Sequence, residues 1–280
     1  MKTKIFSEYN TSASALEVRI TQILSDHSLP GEKERWLFKI PGIIDLTTLE
    51  GSDTKEKVKD LCRKARFSLT NGKFDDAAAI CVYPSLVRTA AEELKGTGIR
   101  IASVAGAFPS GQSGLHVKLR EIEYAISEGA DEIDTVISRG KLIEGLESEV
   151  FDELSAIRET CGTVHLKVIL ETGELPSVAL IRKASELAIL AGADFIKTST
   201  GKIGTGATPP AFLIMLDSIR EYLEKTGKAV GIKAAGGIRT TEQALVYAFL
   251  LLDTLGEQWF NKNYFRIGAS SLADEFMAMA

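Results

Sequence analysis

The chain has 280 residues, of which 45% are hydrophobic, 25% charged and 7% aromatic, and its formal net charge is −5. This composition is typical of a globular protein with a large core and excludes the disordered, fibrous and disulfide-stapled classes. The negative charge argues against a general nucleic-acid-binding protein and against a surface that adheres to anionic lipid.

The first predicted element is a helical extension over residues 1–41, which precedes a larger domain over residues 42–280. Ser14 and Glu17 form a capping-box pattern at the start of a helix. Behind them, apolar residues recur at the spacing of one helical face: Leu16, Ile20, Ile23 and Leu24. A polar stretch over residues 30–35 follows.

From residue 42 onward, eight short apolar runs alternate with helical segments. The runs are Ile43–Leu46, Ala77–Tyr83, Ile99–Val104, Glu132–Ile137, His165–Leu170, Asp194–Thr198, Val230–Ala234 and Tyr264–Ile267. Such alternation indicates βαβ units and a parallel sheet. Units spaced by roughly 30 residues fit a closed (β/α)8 TIM barrel better than an open doubly wound sheet. No G-x-G-x-x-G motif follows the first run, which removes the main reason to prefer a dinucleotide-binding fold.

Helix start signals lie between these runs. Asp53 with Glu56 and Thr240 with Gln243 form capping boxes. In the segment Thr208–Pro210, proline lies just inside a predicted helix start. These signals predict helices after the first, sixth and seventh strands.

Charged residues inside the predicted strands are the most informative feature. Barrel strands are buried on both faces and should read as apolar runs. Four charges interrupt the neighbouring strands 4 to 7: Asp134, Lys167, Lys197 and Lys233. Because such residues are rarely buried unpaired, and because side chains alternate along a strand, we expect all four to point into one lumen. One Lys–Asp ion pair would leave two cations unexplained, so a functional cluster is the better interpretation.

This cluster fits the chemistry of a Schiff-base enzyme. A protonated lysine is not a nucleophile, but burial and a nearby cation both lower the pKa of a lysine. Lys233 beside Lys197 would be such a cation. The protonated imine formed with a carbonyl substrate is an electron sink for breaking or making a C–C bond, and Asp134 with a lysine or water would relay protons.

Two glycine loops predict a phosphate site. Gly236–Thr240 follows strand 7, and Gly268–Ser271 follows strand 8 and leads into a final helix. Loops at these positions form the common phosphate cradle of the barrel fold, because glycines let backbone N–H groups approach phosphate oxygens. The serine hydroxyls would add donors, and Lys202 just past strand 6 would add a positive charge.

The cysteines indicate a reducing compartment. Cys62, Cys81 and Cys161 show no CxxC spacing, so we expect reduced thiols in a cytoplasmic protein and neither a disulfide framework nor a zinc site. The three histidines lie in different contexts and argue against a histidine-rich metal site. Residues 1–10 hold no apolar run typical of a signal peptide, and no stretch approaches a membrane span, so no membrane partner is expected.

Six segments of the chain resemble the class I deoxyribose-phosphate aldolase family. They are Asp45–Leu49, Ala79–Pro84, Leu166–Leu175, Phe195–Lys202, Gly231–Thr240 and Arg266–Ser271. The resemblance extends from about residue 42 to residue 272. Its most specific parts are the two lysine motifs, Phe-Ile-Lys-Thr-Ser-Thr-Gly and Gly-Ile-Lys-Ala-Ala-Gly-Gly.

The resemblance implies reversible cleavage of 2-deoxy-D-ribose 5-phosphate to acetaldehyde and D-glyceraldehyde 3-phosphate, in deoxyribonucleotide catabolism and without a metal or other cofactor. It makes Lys197 the Schiff-base lysine, Lys233 the partner that lowers its pKa, and Asp134 the proton relay. Lys167 and Asp45 would belong to the surrounding polar network. The expected partner is a small phosphorylated sugar, and the family suggests a homodimer.

The same resemblance assigns the substrate contacts. Thr200 would contact the sugar portion, and Cys81 matches a cysteine that lines the pocket, although a small core thiol is the simpler interpretation of this residue. The phosphate-binding set would be Gly201, Lys202, Gly236, Gly237, Ile238, Gly268, Ser270 and Ser271.

Three alternative functions stay open from the sequence. A Schiff-base barrel aldolase for another phosphosugar would differ in whether acetaldehyde alone forms the covalent adduct. A non-catalytic phosphosugar-binding protein would keep the phosphate cradle without turnover. A metal-dependent aldolase would lose its activity in a chelator.

Overall fold

The fold is a closed barrel of parallel strands, seen in a computed structural model that describes residues 5–27 and 29–279. Within these residues, eight strands pair in sequence order and the last pairs with the first. The strands are β1 (Ile44–Thr47), β2 (Ala79–Val82), β3 (Arg100–Ala105), β4 (Glu132–Val136), β5 (His165–Ile169), β6 (Phe195–Lys197), β7 (Gly231–Ala235) and β8 (Phe265–Ala269). The predicted (β/α)8 TIM barrel is confirmed, and each predicted strand overlaps one observed strand.

Helices precede the barrel and follow each of its strands. In the described part of the chain they are α1 (Ala13–Asp26), α2 (Pro30–Leu37), α3 (Lys55–Lys64), α4 (Ser68–Asn71), α5 (Val87–Glu93), α6 (Leu115–Ser127), α7 (Arg139–Ile143), α8 (Glu147–Cys161), α9 (Val178–Leu190), α10 (Pro209–Thr226), α11 (Thr241–Leu255) and α12 (Leu272–Ala278). Over the same residues, we find no helix with the length and apolar character needed to cross a membrane.

Helix α1 begins earlier than the sequence predicts. Its N-cap is Ser12, whose Oγ accepts from the backbone N of Ala15 at 3.1 Å. The predicted capping box at Ser14 and Glu17 is therefore wrong, because a serine nearer the start of the helix already satisfies its first turn. The predicted apolar face packs into the core through Leu16, Ile20 and Ile23. The polar stretch over residues 30–35 lies within α2.

A polar clamp fastens the N-terminal segment to the outer helices. Asp217 of α10 accepts from Tyr9 Oη at 2.7 Å and from Arg19 Nη1 at 2.8 Å. Arg19 also donates to Thr254 Oγ1 of α11 at 3.2 Å. The Arg182 guanidinium of α9 lies 5.0 Å from the centroid of the Tyr9 ring. An ion pair, a hydrogen bond and a cation–π contact therefore join this segment to α10, α11 and α9 respectively.

The other helix starts agree with the sequence in two cases out of three. Helix α3 is capped by Thr54, so the box predicted at Asp53 is wrong by one position. The Asp53 carboxylate instead accepts from Thr48 Oγ1 at 2.9 Å, in the loop after β1. The proline-marked start of α10 is confirmed, and so is the reciprocal capping box of Thr240 and Gln243 on α11.

Gly231 makes room for an aromatic ring in the lumen. It pairs in register with Phe195 of β6, and a Cβ at this position would lie 2.4 Å from Phe195 Cε1. The Phe195 ring is buried and lies two residues before Lys197 on the same face of the strand. Arg266 of β8 lies 5.6 Å from the centroid of this ring. The missing side chain at Gly231 thus lets Phe195 fill the lumen below the lysines.

Replacing Gly231 by Ala should lower the free energy of unfolding by about 1–3 kcal/mol, because Phe195 must shift within a close-packed lumen. Urea unfolding followed by circular dichroism measures the change. The matched control is Gly51→Ala, where the added Cβ has no atom within 4 Å and the effect should stay within about 0.5 kcal/mol. Equal stability of Gly231→Ala and the parent would contradict the packing described.

Candidate active site

Three lysine ammonium groups converge on the carboxylate of Asp134. Lys167 Nζ donates to its Oδ1 at 2.8 Å. Lys197 Nζ and Lys233 Nζ each donate to its Oδ2 at 2.8 Å. The register explains the convergence, because Asp134 pairs with Lys167 across β4 and β5, and Lys197 pairs with Lys233 across β6 and β7. All four side chains are buried, so the four charges that interrupt the predicted strands share one lumen.

A second layer of charges joins the first. Asp45 accepts from Lys233 Nζ at 2.5 Å and from Arg266. Glu132 accepts from Arg266 Nη2 at 2.8 Å and from Lys167. Asp45 and Lys167 are expected in such a network from the family resemblance, whereas Glu132 and Arg266 are not among the predicted site residues. Both are charged residues inside predicted strands, so the rule that selected the other charges would have found them.

The lumen cations keep the lumen carboxylates ionised. Burial alone would raise the pKa of Asp134, but the three surrounding lysines outweigh it and hold this pKa well below its usual range. For Glu132, burial is opposed by Lys167 and Arg266, and the pKa falls to about 2. The pKa of Asp45 is also lowered, because Arg266 and the lysines outweigh its burial.

Lys197 differs from the other two lumen lysines. Burial lowers its pKa, the cation of Lys233 lowers it further, and Asp134 opposes both without cancelling them. Burial acts in the same direction on Lys167 and Lys233, but nearby carboxylates outweigh it there. The net result is a raised pKa for both of these lysines. The lumen holds three buried carboxylates against four buried cations. The part-exposed Arg100 adds a further cation at Glu132, and of the three lumen lysines Lys197 loses a proton most readily.

A cavity of about 640 Å³ opens above Lys197 at the carboxyl ends of the strands. Lys197 lies at its floor with 3% of its surface exposed. The residues that the sequence analysis assigned to the substrate and its phosphate all line this cavity: Thr200, Gly201, Lys202, Gly236, Gly237, Ile238, Gly268, Ser270 and Ser271. The structure therefore brings the glycine loops and the candidate nucleophile to one space.

Glycines let the loops after β6 and β7 touch. Gly236 has φ of 90° and Gly237 has φ of 83°, in the left-handed region that favours glycine. A Cβ at Gly206 would lie 2.2 Å from the carbonyl oxygen of Gly236, which accepts from the backbone N of Ala207 at 3.0 Å. A larger residue at these positions would push apart two loops that line the cavity.

Cations surround the mouth of the cavity. Lys202 Nζ donates to Glu50 Oε1 at 2.8 Å, so the loops after β1 and β6 meet in an ion pair. Lys64 also lines the cavity and pairs with Asp274 at 2.5 Å. Arg239 is exposed and lines the same space. Arg239 is not among the predicted site residues, although it lies inside the glycine loop after strand 7.

The side of the lumen formed by β2 and β3 is apolar. Cys81 lies beside Ala102 in register, and Val104 lies beside Asp134. With Leu49, these apolar side chains belong to a small buried cluster of their own. Burial raises the pKa of the Cys81 thiol to about 11, which suits a core thiol. The apolar wall keeps water from one side of the lysine cluster.

The closed barrel and the lysine pair at the floor of a polar cavity define the class of this protein as a (β/α)8-barrel aldolase, a lyase. The chain belongs to the DeoC/LacD aldolase family, whose model, described as DeoC/LacD family aldolase, matches residues 42–261. This match begins at the residue where the predicted strand–helix alternation begins.

Named relatives are similar over most of the chain. The deoxyribose-phosphate aldolase of Mus musculus is 43% identical over 281 residues, which cover 96% of this chain and 88% of the relative. The deoxyribose-phosphate aldolase of Homo sapiens is 41% identical with the same coverage. Among solved structures, the tetrameric deoxyribose phosphate aldolase of Aeropyrum pernix superposes with a TM-score of 0.68 at 25% identity, covering 96% of this chain and 100% of that chain.

Glu132→Gln should remove part of the pH dependence of stability. The pKa of Glu132 falls from its ordinary 4.5 to about 2 in the folded chain. A carboxyl pKa that is lowered on folding stabilises the fold above the unfolded pKa, and this contribution is lost as the pH falls through the folded pKa. Between these two pKa values, the free energy of unfolding should therefore fall more steeply in the parent than in the variant. Urea unfolding at a series of pH values measures both slopes.

The matched control for this prediction is Glu123→Gln, which alters an exposed ion pair with Arg120. Exposed pairs contribute little to stability, so this variant should keep the slope of the parent. A parental slope in Glu132→Gln would contradict the described role of the lumen charges.

Proposed function

We propose that the chain reversibly cleaves 2-deoxy-D-ribose 5-phosphate to acetaldehyde and D-glyceraldehyde 3-phosphate through a Schiff base on Lys197. The observation that carries the proposal is the lowered pKa of this buried lysine, at the floor of the cavity and beside the cation of Lys233. The names of the mouse and human relatives support the substrate. The cations at the mouth support a substrate with an anionic end.

Imine formation is the first step of the proposed reaction. The neutral amine of Lys197 attacks the aldehyde carbon C1 of the open-chain sugar, and the carbinolamine takes up one proton from the relay and loses water to give a protonated imine. Burial and a neighbouring cation make the neutral amine accessible at lower pH than for a free lysine. Lys233 remains protonated, because Asp134 and Asp45 outweigh the effect of its burial on its pKa.

Cleavage of the C2–C3 bond follows. Its electron pair moves into the protonated imine and gives an enamine, while the 3-hydroxyl loses its proton and becomes the carbonyl group of D-glyceraldehyde 3-phosphate. Asp134 accepts protons in this relay, and the ammonium of Lys167 or Lys233 donates a proton back toward C2 of the enamine. Hydrolysis of the resulting imine releases acetaldehyde and restores Lys197. Because its pKa is held low, Asp134 passes protons on rather than storing one.

The phosphate lies, in this proposal, against the loops after β7 and β8. Backbone N–H groups at Gly236 and Gly237 and the hydroxyls of Ser270 and Ser271 are the donors, with Lys202 as the nearby charge. Both serines are exposed and line the cavity. Gly201, Ile238 and Gly268 complete the wall of this site. Lys202 would then share its charge between Glu50 and the phosphate.

The setting of the reaction is part of the same proposal. We place residues 42–280 as the catalytic barrel and residues 1–41 as an accessory extension, with the reaction in the cytoplasm and in deoxyribonucleotide catabolism. The three cysteines are free and buried, which suits a reducing compartment. No cofactor enters the scheme, because the imine itself is the electron sink. The resemblance suggests a homodimer, whereas the A. pernix relative is tetrameric.

Lys197→Leu should abolish turnover and leave the fold intact, because the variant lacks the amine that forms the imine. Turnover is measured as release of D-glyceraldehyde 3-phosphate, and the fold by circular dichroism. Borohydride reduction with acetaldehyde should leave an ethyl group on Lys197 of the parent, found by peptide mass mapping, and none in the variant. The exposed Lys228 offers a matched control, Lys228→Leu, which should keep parental turnover. Aldolase activity retained in Lys197→Leu would refute the assignment.

Ser270→Glu should raise the KM for 2-deoxy-D-ribose 5-phosphate by about tenfold or more, because a carboxylate would repel the phosphate. The KM for unphosphorylated 2-deoxy-D-ribose should change much less, and steady-state kinetics on both substrates gives the comparison. Ser148→Glu on the exposed face of α8 is the control for an added charge. An unchanged KM for the phosphorylated sugar would remove the loop after β8 from the site.

A further inference from the structure

Glu171 is a buried carboxylate that the proposed mechanism does not use. It follows β5 with φ of 54°, a left-handed conformation that is uncommon outside glycine, and none of its surface is exposed. Both of its oxygens are directed at one residue of the next loop. Thr200 donates from its backbone N to Oε1 at 3.1 Å and from its hydroxyl to Oε2 at 2.5 Å. A strained backbone at this position therefore serves to hold Thr200.

A further hydrogen bond, from the backbone of Lys202, limits the hydrogen bonds that the Thr200 hydroxyl can make to a ligand. A threonine hydroxyl has one proton to donate and two lone pairs to accept with. Both Glu171 oxygens accept from Thr200, so the proton of the Thr200 hydroxyl is committed to Glu171. The backbone N of Lys202 donates to Thr200 Oγ1 at 3.1 Å and occupies one lone pair. One lone pair of the oxygen stays free, so toward a ligand Thr200 can only accept a hydrogen bond.

Thr200 lies where this restriction affects a ligand. It lines the cavity together with Lys197, at the floor, and Lys202, at the mouth. A substrate whose reacting carbon is at Lys197 and whose phosphate is at the glycine loops passes Thr200 between these ends. Of the polar groups of D-glyceraldehyde 3-phosphate, the aldehyde oxygen and the phosphate oxygens are acceptors, and the 2-hydroxyl is the donor.

We propose that Glu171 is a specificity-determining positioning residue, which makes Thr200 an obligate hydrogen-bond acceptor and so selects acceptor aldehydes that carry a hydroxyl next to the carbonyl. This inference rests on the proposed function and deepens it. Glu171 acts through Thr200 and does not touch the substrate itself. An acceptor without the hydroxyl would leave the buried lone pair of Thr200 unmatched, and an unmatched polar group in a closed site costs binding.

The test uses the synthetic direction with acetaldehyde as donor and two acceptor aldehydes. One acceptor is D-glyceraldehyde 3-phosphate and the other is 3-oxopropyl phosphate, which lacks only the 2-hydroxyl. The parent should prefer the hydroxylated acceptor in kcat/KM. Glu171→Gln keeps the shape of the side chain but replaces one acceptor oxygen by an NH2 donor. The Thr200 hydroxyl then accepts from this NH2 group, and its own proton is free to be donated to a ligand. The variant should lose about tenfold in kcat/KM for the hydroxylated acceptor and change little for the other.

The matched control is Glu174→Gln in the same turn, whose carboxylate pairs with Arg139 and is 43% exposed. It should keep the parental preference between the two acceptors. Equal losses with both acceptors in Glu171→Gln would show a merely structural role and overturn the proposal. An unchanged preference in Glu171→Gln would overturn it as well, and so would a parent that does not distinguish the acceptors.

A second pair of variants decides the matter if Glu171→Gln does not fold. Thr200→Ser keeps the hydroxyl that donates to Glu171 and should keep the preference, whereas Thr200→Val removes the hydroxyl and should abolish it. A preference that survives in Thr200→Val overturns the proposal. Failure of the aldolase mechanism itself is recognised separately, because the parent would then form no borohydride-trapped acetaldehyde adduct on Lys197 even without an acceptor.

Discussion

The carboxylate of Asp134 lies at the centre of the lumen and accepts from three ammonium groups. Such a charge is tolerated in a dry interior only when partners satisfy it completely. The parallel register supplies these partners, since it pairs Lys167 with Asp134 and sets Lys197 and Lys233, which pair with each other, two residues further along their strands. The same register forces the lysines close together. The lowered pKa of Lys197 therefore follows from the way in which the carboxylate of Asp134 is buried among lysines.

The two layers of lumen charge have different effects. In the lower layer, Arg266 joins Asp45 and Glu132, and these groups are held in their charged forms. In the upper layer, Lys197 shares one oxygen of Asp134 with Lys233 and has no second carboxylate among the described ion pairs. Lys233 has Asp45 as well. This unequal sharing explains why neighbouring lysines on paired strands have pKa shifts of opposite direction.

The sequence predicts the barrel and the upper layer well, because both depend on local patterns. Strand–helix alternation identifies the fold, and charges within apolar runs identify the lysines. The helix starts at Ser12 and Thr54 differ from the predicted ones because neighbouring residues are also good caps, and only the backbone conformation chooses between them. The link between Glu132 and Arg266 joins residues 134 positions apart, and no local pattern shows that their strands face each other across the lumen. The left-handed backbone at Glu171 has no sequence signal either, since glycine is the residue expected there.

The lumen is asymmetric, and this asymmetry connects the fold to its chemistry. Strands β4 to β8 and β1 contribute the buried charges, whereas β2 and β3 contribute Cys81, Ala102 and Val104, and the part-exposed Arg100 at the start of β3 pairs with Glu132. A lumen charged on all sides would draw in water and weaken the effect of burial on lysine pKa values. The apolar wall prevents this on one side. In the proposed reaction, the sugar phosphate extends from Lys197 toward the cations at the mouth of the cavity. The distribution of polarity within the barrel thus supports the proposed orientation, with the anionic end of the substrate toward the mouth.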